Sequence, residues 1–164
     1  MFDVRRRQVR TRLMVAVVAV AAAGLAAIGA KADTGSPTTT IGSRHTKVGV
    51  ILVGPRGQTL YVFSHGPNGP DGCYGRCARN WPPLQAFGRP VAMPGSGVKQ
   101  GWLSTMRRRD GILQVTYEGH PLYLNGGDTK PGSLRGDHTQ EFGGRWYVVP
   151  IGGVPISGVK TQRG

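Results

Sequence analysis

Short runs of apolar and β-branched residues, separated by glycine and proline, make up most of the chain after its first thirty residues. Runs that are brief, rich in Val, Ile, Tyr or Trp and bounded by turn residues predict β-strands. Four such strands are predicted, at 48–53, 102–106, 112–116 and 145–149. No window in this region repeats apolar residues with the 3.6-residue period of a helix, and Pro82-Pro83 limits any helix at 78–81 to a single turn. The pattern therefore predicts an all-β domain.

The same region contains an internal repeat. Residues 49–53 align with 111–115, and the same offset places 57–62 over 119–124. Each copy combines an apolar strand, a polar turn with glycine, and a Leu-Tyr pair followed by an apolar residue. This predicts a small single domain of two related β-hairpin units, arranged as a sandwich or a barrel. Since alternate strand residues point to opposite faces, one member of each Leu-Tyr pair is expected to face the core and the other the solvent.

The N-terminal region has a different pattern. A basic head is followed by an uncharged apolar run at 13–30 and then by Ala30-Lys31-Ala32, which fits a small-x-small cleavage site. Residues 1–32 are therefore interpreted as a cleaved signal peptide, with a retained N-terminal anchor or a buried helix as alternatives. The other predicted regions are a flexible linker at 33–46, the folded domain at 47–154 and a disordered tail at 155–164.

Composition and charge narrow the function classes. The chain has 164 residues with 27 Gly and 12 Pro, which disfavours helical architectures, and its length excludes large multi-domain enzyme folds. Its 21 Lys and Arg against 8 Asp and Glu give a net charge of +13. In an exported protein this surplus favours anionic envelope polymers or lipid headgroups as partners rather than nucleic acid. Arg107, Arg108 and Arg109 are the candidate anion-binding residues, with an ordinary solvated surface as the alternative.

Cys73 and Cys77 are the only two cysteines. An even number of cysteines in an exported chain predicts a local disulfide. A redox pair is the alternative, although three intervening residues replace the two of thioredoxin-like motifs. A metal site that adds His65 and His120 would sacrifice the disulfide, so no metal and no cofactor are predicted.

The acidic residues give no catalytic pattern. Asp128, Asp137 and Glu141 lie in a glycine-rich segment without the spacing of a calcium loop. Asp128 follows Gly126-Gly127 and is expected to accept backbone N–H groups in a turn. Nucleophile elbows, phosphate loops and dinucleotide fingerprints are missing from the sequence, so the protein is interpreted as a non-enzyme.

Several segments together resemble a known family. They are 57–63 (GQTLYVF), 73–84 (CYGRCARNWPPL), 110–123 (DGILQVTYEGHPLY) and 142–147 (FGGRWY). They are similar to the bacterial "secreted repeat of unknown function", whose members are also described as predicted lipoproteins with a Yx(FWY)xxD motif. The resemblance implies an extracytoplasmic location but no activity. The residues that match the family pattern are Tyr61, Phe63, Trp81, Pro82, Pro83, Tyr123, Asp128 and Trp146.

The sequence departs from the family pattern at three points. Gly66 stands where the first motif copy has Asp, and Asn125 replaces the aromatic of the second copy. No cysteine stands directly after the leader, so lipid attachment is not expected. The sequence thus favours an exported, non-enzymatic envelope protein, bound to the membrane only if its N-terminus is retained, that binds a partner or an anionic envelope component. The alternatives are a redox or electron-transfer accessory, and a carbohydrate-binding module in which Trp81 or Trp146 stacks on sugar.

Overall fold

The computed structural model describes residues 38–64 and 72–154, and nearly all of their regular structure is β. The strands, in chain order, are β1 (Thr40–Thr46), β2 (Gly49–Val53), β3 (Tyr61–Ser64), β4 (Val91–Ala92), β5 (Leu103–Arg107), β6 (Leu113–Tyr117), β7 (His120–Pro121), β8 (Gln140–Glu141) and β9 (Gly144–Val148). One helix, α1 (Arg76–Asn80), ends just before Pro82-Pro83, and one 3-10 turn spans Gln100–Trp102. The prediction of a mostly β domain is confirmed.

The four strands predicted from sequence are present. The observed strands β2, β5, β6 and β9 each begin and end within one residue of the predicted bounds. These segments combine β-branched or aromatic residues with flanking turn residues, and that combination marked their positions.

The strands form three small sheets, with the orders β2-β1-β4, β3-β9-β8 and β5-β6-β7. All pairs are antiparallel except β1 with β4. Single backbone bridges join one sheet to the next; for example, the Leu52 amide donates to the Val149 carbonyl at 2.8 Å. Within the described residues the sheets do not close into a barrel.

The linker prediction is wrong for residues 40–46, which form β1. This polar strand lies between β2 and β4, and its Ile41 is completely buried. Its backbone hydrogen bonds to two neighbouring strands therefore order a segment whose side chains alone would not indicate a strand.

The chain reverses direction at both predicted turns, but the backbone registers after the turns differ. The Leu60 amide donates to the Leu52 carbonyl, whereas the Leu122 amide donates to Val115, one residue beyond the position expected from the repeat. Tyr61 and Tyr123 pair with each other, each amide donating to the other carbonyl at 2.9 Å. The segments that follow the two turns thus meet at Tyr61 and Tyr123, while the two-repeat interpretation stays a prediction.

Two hydrophobic clusters lie on either side of the Leu-Tyr segments. Leu60 and Leu122 belong to one cluster, and Tyr61 and Tyr123 to the other. All four side chains are buried, so the expectation that one of each pair would face solvent is wrong. Alternate residues do point to opposite faces, but here both faces are covered. The second cluster is named the aromatic cluster, and its buried members are Ile51, Tyr61, Phe63, Cys73, Cys77, Trp81, Tyr123, Trp146 and Val148.

Some predictions lie outside the described residues, namely the signal peptide or anchor at 1–32 and the tail at 155–164. Within the described ranges, none of the helices has the length and apolarity needed to cross a membrane.

Candidate functional site

The residues that matched the family pattern converge on the aromatic cluster. The Trp146 ring stacks on Trp81, with 3.9 Å between centroids and 1° between planes. Phe63 stacks on the same indole at 4.4 Å, and Tyr123 meets it edge-on at 5.2 Å. Three rings therefore contact Trp146, two of them stacked and one edge-on. These residues form a packed core.

Two hydrogen bonds join the aromatic cluster to surface carboxylates. The Tyr61 hydroxyl donates to Asp128 Oδ2 at 2.7 Å, and Trp81 Nε1 donates to Glu141 Oε2 at 2.8 Å. Asp128 also accepts the Arg135 amide at 3.2 Å, as its predicted role in a turn requires. Burial, followed by the hydrogen bond to Asp128, raises the pKa of Tyr61 far above its ordinary value. The Tyr61 phenol is therefore a protonated, structural group.

The burial of the tryptophans excludes one sequence hypothesis. Trp81 is 1% exposed and Trp146 is fully buried, so neither ring offers a face on which a sugar can stack. Pro82 and Pro83 are half-buried beside them, and Pro83 forms a backbone bridge with Tyr123. Core packing, the other interpretation of these aromatics, is confirmed.

Cys73 and Cys77 form a disulfide, as predicted. Both residues are buried in the aromatic cluster, and the bond closes the turn that leads into α1. The described residues contain no group of three or more His, Cys, Asp or Glu side chains placed to hold a metal ion.

The structure removes Arg108 from the candidate anion site. Its side chain is buried and bonded to Asp110 at 3.1 Å, Gln114 Oε1 at 2.9 Å and the Cys73 carbonyl at 2.7 Å. These partners satisfy the guanidinium and hold the disulfide loop against the β5–β6 hairpin. Arg107 and Arg109, in contrast, are exposed.

A different set of cations shares one concave surface, which we call the basic cleft. The hollow has a volume of about 630 Å³ and lies between the end of the β1–β2 hairpin and the segment 131–135. Four basic or titratable side chains line it, and all of them are exposed. The lining consists of Arg44, His45, Thr46, Lys47, Pro131, Gly132, Leu134 and Arg135.

Two hydrogen bonds attach one wall of the basic cleft, the segment 131–135, to the residues that follow β2. The Gly132 amide donates to the Gly57 carbonyl at 3.2 Å, and Thr59 Oγ1 donates to the Ser133 carbonyl at 2.6 Å. The Arg44 side chain crosses Gly132, where an added Cβ would lie 2.5 Å from its Cδ. Gly132 also has a φ of +75°, which favours glycine. The close approach that positions Arg44 thus depends on glycine at 132.

The basic cleft has an unbalanced charge. No carboxylate lines it, and Arg44, Lys47 and Arg135 form no ion pair with any residue in the described ranges. The two carboxylates nearest in sequence are engaged elsewhere: Asp137 accepts the Val148 amide, and Asp128 accepts the Tyr61 hydroxyl and the Arg135 amide. Sequence reasoning missed this site because β1 and the segment 131–135 lie far apart in the chain and carry no shared motif.

Comparison with known proteins supports the family resemblance. A family model described as a secreted repeat of unknown function matches residues 104–150, the part of the chain from β5 through β9. The match includes Tyr123, Asp128 and Trp146. No curated protein and no solved structure matches the chain. The family description and the disulfide together indicate an extracytoplasmic protein.

Proposed function

We propose that this chain, similar over residues 104–150 to a family of secreted repeats, is a non-catalytic domain that binds phosphate-bearing envelope polymers in the basic cleft. The observation that carries the proposal is the meeting of three permanent cations, Arg44, Lys47 and Arg135, on one concave surface without a carboxylate. The protein is exported, and such polymers are the polyanions that an exported protein meets.

The engagement of the acidic residues supports binding rather than catalysis. A carboxyl group acts as a general acid or base only if it is free to exchange a proton with a substrate. Every carboxylate in the described ranges instead accepts a hydrogen bond from a structural donor. These are Asp110 from Arg108, Glu118 from the Val154 amide, Asp128 from Tyr61, Asp137 from the Val148 amide, and Glu141 from Trp81.

Phosphate fits the donors of the basic cleft. The planar guanidinium of an arginine donates two parallel hydrogen bonds to phosphate oxygens, and a lysine adds a mobile point charge. The 15 Lys and Arg against 7 Asp and Glu that follow residue 32 attract a polyanion over a longer range, although salt screens this field. A polymer with repeated phosphates would therefore bind more tightly than a single phosphate.

The test measures binding of poly(glycerol phosphate) to the protein over a range of salt concentrations. Lys47→Glu/Arg135→Glu reverses two charges in the cleft, and Arg76→Glu/Arg145→Glu makes the same charge change at exposed sites outside it. The cleft variant is expected to bind about tenfold more weakly at low salt, and its salt slope should fall by about two. The control should bind nearly as the wild type does.

Two further ligands, measured in the same way, show which source of phosphate the basic cleft binds. Vesicles of phosphatidylglycerol present the same group on a membrane, and neutral dextran presents sugar without charge. Preference for the polymer over both supports the proposal. Equal loss of binding in the two double variants would contradict it, because the net charge alone would then explain the attraction. Preferential binding to the vesicles would reassign the cleft to a membrane surface.

A further inference from the structure

The strand β5 lies at the edge of its sheet, with only β6 as a neighbour. The Glu118 amide donates to the Trp102 carbonyl, and the Arg108 amide donates to Ile112, both at 2.9 Å. Because hydrogen-bonded pairs alternate along an antiparallel ladder, these bonds fix which residues of β5 face β6. The backbone N–H and C=O groups of Ser104 and Met106 point toward β6. Those of Leu103, Thr105 and Arg107 point away from it.

Most of these outward groups have no hydrogen-bond partner among the described residues. The Leu103 amide is used, since it donates to the Gln100 carbonyl at the end of the 3-10 turn. The Leu103 carbonyl and both backbone groups of Thr105 and Arg107 make no hydrogen bond within the described ranges. An unpaired row of this kind is a template for an added strand.

A hollow of about 480 Å³ lies beside this edge. Its walls come from β5 and β6 on one side and from Gly88, Arg89 and Pro90 on the other. Leu103, Ser104, Thr105 and Leu113 complete the lining. A strand that pairs with β5 would place alternate side chains toward this face, where the hollow leaves room for them.

The charges around the edge indicate what kind of strand fits. Arg89 lies in the wall of the hollow, Arg107 lies on β5, and Arg109 follows it. All three are exposed and form no ion pair within the described residues. A second copy of this chain would bring its own excess of positive charge, which disfavours pairing between copies.

We infer that the free edge of β5 is a docking site for an extended acidic segment of another protein, which adds to the sheet as a fourth strand. Backbone hydrogen bonds to Thr105 and Arg107 would bind the segment, and alternate acidic side chains would contact Arg89, Arg107 and Arg109. This site is separate from the basic cleft and does not depend on the function proposed for it.

The test uses a blocked peptide of alternating Glu and Val as the probe. In the wild-type protein, binding should slow hydrogen exchange of the Thr105 and Arg107 amides at least about tenfold and leave the amides of residues 44–47 unchanged. A Glu-Pro peptide of equal length and charge is the matched control, since proline cannot donate to the ladder. It should bind at least about tenfold more weakly.

Two variants separate the backbone contribution from the charge contribution. Thr105→Pro removes an outward N–H that the native ladder does not use, and it should abolish protection of Arg107. Arg107→Ala/Arg109→Ala should weaken binding roughly tenfold without changing the site of protection. If Thr105→Pro does not fold, the exchange pattern of the wild type still decides. Protection elsewhere, equal binding of the Glu-Pro peptide, no binding, or dimerisation through β5 would overturn the inference.

Discussion

Removal of the Trp146 side chain tests how much the aromatic cluster contributes to the stability of the fold. The indole is fully buried and contacts three other rings, those of Phe63, Trp81 and Tyr123. Its Nε1 makes no hydrogen bond with any described residue, so Trp146→Ala removes packing alone. A buried indole removes about 150–250 Å² of surface from water. At about 25 cal/mol/Å² this corresponds to a hydrophobic free energy of about 4–6 kcal/mol. Truncation of a buried Trp to Ala costs about 3–5 kcal/mol in measured cases.

A loss of about 4 kcal/mol is a large part of the stability of a domain of this size. It should lower the melting temperature by about 20 °C, as measured by circular dichroism without reductant. Trp102→Ala is the matched control. That side chain is half-buried, packed edge-on against Tyr117 and covered by Lys99, so its loss should cost about 1–2 kcal/mol. Equal melting temperatures for Trp146→Ala and Trp102→Ala would refute the assignment of the aromatic cluster as the core.

Three further predictions concern individual bonds. Arg108→Met leaves the partners of a buried guanidinium unpaired and should lower the free energy of unfolding by about 3–5 kcal/mol, as measured by urea titration. The control Arg107→Met should change it by about 0.5 kcal/mol or less. Similar values for the two variants would contradict the buried role of Arg108. Replacement of both Cys73 and Cys77 by serine should cost about 2 kcal/mol, because the closed loop is short; an unchanged melting temperature would argue against that contribution. Since the folded-state pKa of Tyr61 is raised, the folded protein holds this proton where the unfolded chain releases it, so stability should fall above pH 10 or so. Tyr61→Phe should reduce that fall, and an unchanged alkaline slope would count against it.

The sequence predicted the strands better than it predicted their surroundings. β2, β5, β6 and β9 have side chains that favour strands on their own, and their bounds followed from flanking turn residues. β1 was missed because it is ordered by backbone pairing with β2 on one side and β4 on the other, and no local sequence pattern reveals such pairing.

The burial of particular side chains shows the same limit. Arg108 stands in a run of three arginines that resembles a solvated surface, yet it is buried because Asp110, Gln114 and the Cys73 carbonyl surround it. Two of these three partners lie close in sequence, but the third arrives only through the fold. The same dependence on folding explains why one member of each Leu-Tyr pair was wrongly expected to face the solvent.

The candidate sites also depend on contacts between residues that lie far apart in the sequence. Five of the eight residues that match the family motif lie in the aromatic cluster, where their role is structural. The basic cleft depends on the approach of Gly132 to Gly57, which brings Arg44 beside Arg135. Before the fold is known, each of these arginines is one cation among many in a chain of net charge +13.

The buried motif residues stabilise the fold, and we propose that the basic cleft binds the ligand. The most direct test is a titration of ¹⁵N-labelled protein with poly(glycerol phosphate), followed by two-dimensional NMR. We predict shifts in the amides of residues 44–47 and 132–135, and none in the indole N–H signals of Trp81 and Trp146. Shifts centred on those two indoles, with the cleft amides unmoved, would contradict the account.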